Sequence, residues 1–493
     1  MEIAFVKILN CAVALAALMV VSSPAARADH FDDLANSPMS GGRPTATQSS
    51  RAEDLDRQSL QQRAVTAAIW GMPIVSMNAM RQAFFRDAKA NYNDVVFWSK
   101  PSDWKNQTTT PNASARYVYF NFNTKDGPVV VDIPPAVDAG LFGTLLDTWQ
   151  TPLADVGPEG EDQGKGGKYL LLPPGFGGDA PAGYIAVRAR TYNGYSLLRA
   201  IPKGSSEADV SKAIALVKKL RLYPLSKADS PPEQRFVDMS GTLFDGIVRF
   251  DESFYLSLAQ MINEEPVLAQ DRAMMGLLLP LGIEKGKEFK PDAQAQRDLE
   301  QSAGAAHAWL MEAQPTYGTP TWPDLSWKLP APPAATETGF SFERPDYLDV
   351  DARGIGYFCW YAPPKNLGAA TYYLAAFKDA KGDSLRGEGS YKLHVPPNVP
   401  AQQFWALTLY DRDTCGFIRD MPRAGIDSYD QKMQRNADGS VDIYIGPAPP
   451  AGEEANWIET ASGRGWFTYF RLYGPEKAFF DKTWKLPEIE KLQ

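Results

Sequence analysis

One β pattern occurs twice along the chain, and it constrains the fold more than any other feature. From Tyr117 on, Val118, Phe120 and Phe122 alternate with polar or half-polar neighbours, a Lys125-Asp126-Gly127 turn follows, and Val129-Val130-Val131-Asp132-Ile133 returns. Alternation at period two marks a strand with one buried face, and the turn residues predict a hairpin. The chain then runs through Pro134-Pro135, an apolar strand ending Thr144-Leu145-Leu146-Asp147, a glycine-rich loop, Lys168-Tyr169-Leu170-Leu171-Leu172-Pro173-Pro174, and a strand carrying Arg190-Thr191-Tyr192-Asn193-Gly194. Near the C-terminus the same order returns. Lys392-Leu393-His394-Val395 leads to Pro396-Pro397, then a strand ending Thr408-Leu409-Tyr410-Asp411 and the turn Asp438-Gly439-Ser440. Val441 to Ile445 with Pro449-Pro450 follow, and last a strand carrying Arg471-Leu472-Tyr473-Gly474. Landmarks recurring in one order read as two copies of one unit, with Asp147 matched to Asp411 and Arg190 to Arg471. The expected fold is mainly β with a helical insert: two tandem jelly-roll-like β-sandwich domains.

Around these copies the period changes. Apolar positions recur at helical spacing from Leu55 to Ile69, Gly71-Met72-Pro73 interrupts them, and a second helical stretch covers Val75 to Phe85. Ser206 with Asp209 caps a helix over Val210 to Leu222, and further helical runs cover Phe254 to Ile262, Val267 to Leu279 and Pro291 to Ala313. The expected organisation is a signal peptide over 1–28, a flexible arm over 29–51, and an N-terminal sandwich with leading helices over 52–204. A helical insert over 205–314, a linker over 315–344 and a C-terminal sandwich over 345–493 complete it.

Residues 1–28 carry Lys7, an apolar run from Ile8 to Val21, Pro24 and the small-x-small triplet Ala26-Arg27-Ala28. This predicts a cleavable leader and a periplasmic or secreted protein beginning at Asp29. The run of about 14 residues falls short of the roughly 20 that cross a bilayer, so no stable membrane span is expected. With 50 Lys+Arg against 59 Asp+Glu and no basic block, nucleic acid is not an expected partner. Cys359 and Cys415 remain after cleavage, and both a disulfide and two buried thiols fit them. His30, His307 and His394 are too few for the histidine-rich metal centres of many double-sheet oxygenases, so no metal or other cofactor is expected, while an oxygen-only calcium site stays open.

Longer strings carry a resemblance. Asp126-Gly127-Pro128-Val129-Val130-Val131, Asp155-Val156-Gly157-Pro158-Glu159-Gly160, Gly164-Lys165-Gly166-Gly167-Lys168-Tyr169 and Thr191-Tyr192-Asn193-Gly194-Tyr195 resemble a bacterial family known as DUF1254. Phe404-Trp405, Asn436-Ala437-Asp438-Gly439-Ser440, Asn456-Trp457-Ile458 and Phe470-Arg471-Leu472-Tyr473-Gly474-Pro475 resemble its usual partner, DUF1214. The resemblance implies tandem jelly-roll-type domains, often exported, with no established reaction and no catalytic residue to carry over.

Arg188 and Arg190 are two apart in a predicted strand and so project from one face, with Tyr184 and Tyr192 along that row. Two guanidinium forks beside phenols suit a carboxylate, a phosphate or an acidic sugar, whereas pairing with Asp147 or Asp155 would make them structural. The expected ligand site is Arg188, Arg190, Tyr192, Asp147, Trp149 and Lys168, in the N-terminal sandwich. Gly164-Lys165-Gly166-Gly167-Lys168 lacks the spacing of a phosphate loop, and Gly382-Asp383-Ser384-Leu385, which spells an esterase nucleophile string, has no base following it near the C-terminus. Three functional readings stand. The first is an exported protein that binds a small anionic or polyhydroxylated ligand or assembles in the cell envelope. The second is an enzyme of unassigned chemistry using Asp, Tyr and Arg groups of the N-terminal sandwich, and the third a structural oligomer-forming envelope protein. A small-molecule partner and a homo-oligomer both stay open.

Overall fold

The computed structural model describes residues 52–204, 206–365 and 371–492. The expected leader and arm, and His30 with them, lie outside these residues. In the first copy the strands are β1 (Val95–Phe97), β2 (Arg116–Asn123), β3 (Val129–Ile133), β4 (Ala139–Asp147), β5 (Pro152–Val156), β6 (Gly167–Leu172), β7 (Tyr184–Arg188), β8 (Asn193–Pro202), β9 (Arg221–Pro224) and β10 (Phe236–Asp238). They form a six-stranded sheet in the order β10-β1-β2-β8-β4-β5 and a four-stranded sheet in the order β9-β3-β6-β7. In the second copy they are β11 (Thr319–Pro320), β12 (Lys328–Leu329), β13 (Thr371–Ala376), β14 (Tyr391–Val395), β15 (Ala401–Asp411), β16 (Gly425–Asp427), β17 (Val441–Gly446), β18 (Trp457–Glu459), β19 (Trp466–Pro475) and β20 (Glu490–Lys491). Their sheets run β11-β12-β13-β19-β15-β16 and β18-β17-β14-β20.

The two orders superimpose strand for strand. In each large sheet the last long strand, β8 or β19, sits antiparallel between β2 and β4 or between β13 and β15. In each small sheet one edge pair is parallel, β6 with β7 and β17 with β18. Only the outermost pairs differ, β10 being parallel to β1 and β11 antiparallel to β12. The fold is mainly β and built of open two-sheet sandwiches; its strand order does not confirm the jelly-roll detail.

The repeat corrects two details of the sequence reading. Residues 117–133 are not a hairpin, because β2 lies in the large sheet and β3 in the small one. Val118, Phe120 and Phe122 face Val129, Val131 and Ile133 across one apolar core. Period-two alternation reports a buried face but does not say whether the partner strand lies beside it or opposite. Arg190 also has a different counterpart. The strand-end residues Asp147 and Asp411 pair across the sheet with Gly194 and Trp466, and five residues further on each strand stand Arg199 and Arg471. Arg471 therefore corresponds to Arg199.

Each large sheet is covered on both faces, one by its own sandwich core and the other by a shared central layer of helices and aromatic side chains. The first helix, α1 (Ala52–Arg86), runs unbroken through Pro73, where the sequence predicts an interruption. Helix propensity is a weak term beside tertiary burial, and α1 is buried continuously from Ala67 to Asn78. Gly354 of a later helix packs so close that a Cβ there would lie 2.7 Å from the Ile69 carbonyl, the one Pro73 leaves without its helical donor. From the middle of the chain, α2 (Glu207–Val217), capped by Ser206 Oγ accepting from the Asp209 amide at 3.1 Å, lays Ala213, Leu216 and Val217 on the N-terminal core. Helices α3 (Ser253–Glu264), α4 (Arg272–Leu278), α5 (Ala293–Ala313) and α6 (Val350–Cys359) join the central layer. Cys359, closing α6, and Cys415, following β15, form a disulfide. Among the described residues no helix is long and apolar enough to cross a membrane.

Candidate functional site

Strand β7 ends at Arg188, so Arg188 and Arg190 do not share a row as the sequence reading has them. Arg188 lies on the outer face of the small sheet and donates to the Phe176 and Gly178 carbonyls at 2.9 and 3.0 Å, pinning the loop that leads into its own strand. Lys168 lies on that same outer face, in register with Asp132 and Tyr184. Arg190, two residues on, lies past the strand end and turns off that outer face. There its Nε and Nη2 donate to Asp147 Oδ2, both at 3.3 Å, its Nη2 to Thr151 Oγ1 at 2.8 Å, and its Nη1 to Glu343.

Asp147 is wholly buried at the end of β4, and burial raises its carboxyl while Arg190 pulls it back. Trp149 packs on Trp70 with centroids 4.8 Å apart, and the Arg353 guanidinium lies 4.8 Å from the Trp149 ring. Tyr192 joins this end through its amide, which donates to Glu265 Oε2 at 2.6 Å. The structure thus brings Asp147, Trp149, Arg190 and Tyr192 together and leaves Arg188 and Lys168 on another surface. The void there, lined by Trp149, Glu265, Asp271 and Met275 among others, is about 10 Å³, room for one water. Carboxylates dominate: Arg190 meets Asp147 and Glu343, and Arg353 faces Asp271. Asp411 repeats the motif in the second copy, paired at 2.6 Å with Arg464.

The remaining motifs are internally satisfied. In the glycine-rich loop the Gly157 and Gly166 amides donate to Asp162 at 2.7 and 3.2 Å, so a carboxylate of the chain fills the anion cradle. Gly166 holds φ +75° with the Ile133 carbonyl 2.6 Å from where a Cβ would sit, which excludes any side chain. Ser384 lies exposed in a turn closed by Asp379. His307 packs on Phe250 and Phe358, and His394 pairs with Asp442 at 2.7 Å. Among the described residues no three His, Cys, Asp or Glu side chains gather as a metal site.

Two arginines that bond no carboxylate form a pair revealed by the repeat. On β8, Arg199 stands in register with Tyr117 of β2; on β19, Arg471 stands in register with Tyr373 of β13. Both strands alternate, so Leu198 and Ala200, like Phe470 and Leu472, point into their own sandwiches, and both arginines point into the central layer. The Arg199 guanidinium carbon lies 5.5 Å from the Tyr117 ring centre. That of Arg471 lies 5.3, 5.4 and 5.7 Å from Tyr373, Tyr469 and Tyr410.

Arg471 is 2% exposed. Its Nη2 donates to Tyr410 Oη at 2.6 Å and to the Thr110 carbonyl at 3.3 Å, while its buried Nε and Nη1 have no partner. Arg199 is half-buried and, among the described residues, makes neither a hydrogen bond nor an ion pair. Burial works against both charges, yet the surrounding phenols leave each guanidinium's pKa raised. Burial also raises the phenols of Tyr410, Tyr469 and Tyr473, so near neutral pH they are uncharged and supply no counter-charge. The sequence reading missed this pair because it aligned the landmarks by the string around Arg190. Counting from the strand-end Asp partners would have found it.

Fold and site together define a two-copy β-sandwich protein with a cationic, tyrosine-lined layer between the copies. Residues 92–224 match the family described as Protein of unknown function (DUF1254), and residues 370–477 match Protein of unknown function (DUF1214). The chain thus carries a DUF1254 match followed by a DUF1214 match, the tandem order that the resemblance implies. The VPA0106 protein from Vibrio parahaemolyticus shares the fold at a TM-score of 0.51 and 17% identity, over 88% of this chain and 100% of that one. An uncharacterized protein from Burkholderia cenocepacia aligns at a TM-score of 0.39 and 14% identity, over 89% of this chain and 95% of that one. No curated protein matches the chain.

Proposed function

We propose that the protein, exported to the periplasm or beyond, binds a small anionic ligand in the layer between its two sandwiches. The observation that carries this reading is the unused hydrogen-bonding capacity of two cations, Arg471 buried and Arg199 half-buried. Among the described residues, Arg471 has Nε and Nη1 buried without partners, and the Arg199 side chain makes no hydrogen bond. A buried donor left unsatisfied costs about 1–3 kcal/mol, and one on a charged group costs more, so an oxyanion there replaces a penalty with charge-assisted bonds. The whole chain carries net charge -9, so the attraction is local to these side chains.

Calorimetric titration of the mature chain with phosphate, sulfate and acetate tests this. At least one should bind, and the Arg199→Met/Arg471→Met double variant should lose that binding. Absence of binding, or binding indifferent to the double variant, would overturn the reading, and large oligomers without anion binding would favour an envelope-assembly role instead. A second reading keeps a polyhydroxylated ligand at the expected N-terminal site, where half-exposed Arg190 and Glu343 meet Gln270, whose Nε2 donates to Glu343 Oε1 at 2.9 Å. Planar polar side chains of this kind pair with sugar hydroxyls, and Arg190→Ala should then abolish sugar binding alone.

A further inference from the structure

We infer that the ligand is a dianion with an oxyanion group at each end, one end held by the Tyr117–Arg199 pair and the other by the Tyr373–Arg471 pair. The inference rests on the anion-binding reading above and adds the class of ligand. Three observations carry it.

The first is duplication. The same cross-strand Tyr–Arg pair stands at the same register in both copies, on the faces that meet in the central layer. A one-ended ligand would use one copy and leave the cation of the other without an anion. The second is charge. Neither arginine bonds a carboxylate among the described residues, whereas Arg81, Arg190 and Arg464 meet Glu264, Asp147 and Asp411. Two uncompensated guanidinium groups share Tyr117, Tyr373 and Tyr473 as neighbours, and Arg471 itself acts on Arg199. A monoanion leaves one of these charges unpaired, while a dianion neutralises both.

The third observation is that the two ends are built differently. Arg471 is held from two sides by Tyr410 Oη and the Thr110 carbonyl, and Thr110 is itself tied to both halves of the disulfide. Its amide donates to the Cys415 carbonyl at 2.7 Å and its hydroxyl to the Cys359 carbonyl at 2.8 Å. Arg199 has only the Tyr117 ring beneath it. Arg471 is thus a pre-positioned anchor, and Arg199, whose side chain no hydrogen bond holds among the described residues, is the end that adapts to ligand length.

The test compares one-ended and two-ended carboxylates on the mature chain at constant ionic strength: acetate and butyrate against malonate, succinate, glutarate and adipate. At least one dicarboxylate should bind at least about tenfold more tightly than butyrate, the gain expected from one further set of charge-assisted bonds. Arg199→Met should bring dicarboxylate affinity down to the butyrate level and change butyrate affinity by less than about twofold, whereas Arg471→Met should abolish both. Arg199→Lys, which keeps the charge, should retain part of the preference and guards against a variant that merely misfolds. If butyrate binds as tightly as every dicarboxylate and both are lost in the double variant, the anion-binding reading stands and the dianion inference falls. If no carboxylate, phosphate or sulfate binds, both fall.

Discussion

Replacing Arg471 by Met separates a ligand-binding arginine from a structural one, and Arg81 supplies the comparison. Each is a nearly fully buried guanidinium, 2% exposed. Arg81 is satisfied: Nε donates to Asn78 at 2.9 Å, Nη1 to Tyr92 at 2.9 Å and to Glu264 at 2.6 Å, and Nη2 again to Glu264 at 3.2 Å. Removing it takes both guanidinium bonds from Glu264 and leaves Asn78 and Tyr92 short of a donor. Breaking such a pair costs about 3 kcal/mol, the lower end of the range for buried pairs because Gln260 and Asn193 still bond the carboxylate. For Arg471, Met forfeits one charge-assisted bond to Tyr410, worth about 1.5–3 kcal/mol, a weaker one to Thr110, and the ring contacts. In return it removes the several kcal/mol spent on desolvating an unpaired ion, including the two partnerless N–H sites, and it keeps most of the apolar contact. The two sides nearly cancel, so Arg471→Met should change stability by less than about 2 kcal/mol. Urea unfolding of both variants beside the parent protein measures the difference. A loss for Arg471→Met as large as that for Arg81→Met would show that Arg471 holds the fold together, and the case for an anion site would lose its basis.

Two further outcomes follow from the buried groups. Replacing Cys359 and Cys415 by Ser opens a closure of sequence separation 56 and should cost about 4 kcal/mol on loop-entropy grounds. Because Thr110 bridges both cysteines to Arg471, the same variant should weaken anion binding; unchanged affinity in a folded variant would disprove that link. Asp271 accepts from Trp70 Nε1 at 3.2 Å, and burial raises its carboxyl although Arg353 draws it back. A raised folded-state pKa means that the folded chain keeps this proton longer than the unfolded one, so its contribution to stability falls as pH climbs from about 4 through the raised value. The melting temperature of Asp271→Asn relative to the parent should therefore rise over that window and then level off. A difference that shrinks with pH would contradict the sign.

The chain's own pattern was enough to establish the duplication, the sandwich architecture and the pairing of Asp147 with Asp411, because period-two burial and turn residues are local properties that survive in any context. The cap at Ser206 was legible for the same reason. Which strand pairs with which was not, since a segment such as Val129–Ile133 alternates identically whether its neighbour lies beside it or across the core. The break expected at Gly71-Met72-Pro73 vanished because burial in the central layer outweighs local propensity, a balance no window of sequence contains. The grouping expected for Arg188, Arg190 and Lys168 depended on β7 continuing two residues past its end. The Tyr–Arg pairs depend on something more remote still. Tyr117 and Arg199 are 82 positions apart, Tyr373 and Arg471 are 98, and only strand register and the meeting of two outer sheet faces bring them into one layer. Their chemistry was in the sequence from the start. That neither bonds a carboxylate among the described residues is a property of the assembled core, because a guanidinium's counter-charge is set by whatever packs around it in three dimensions.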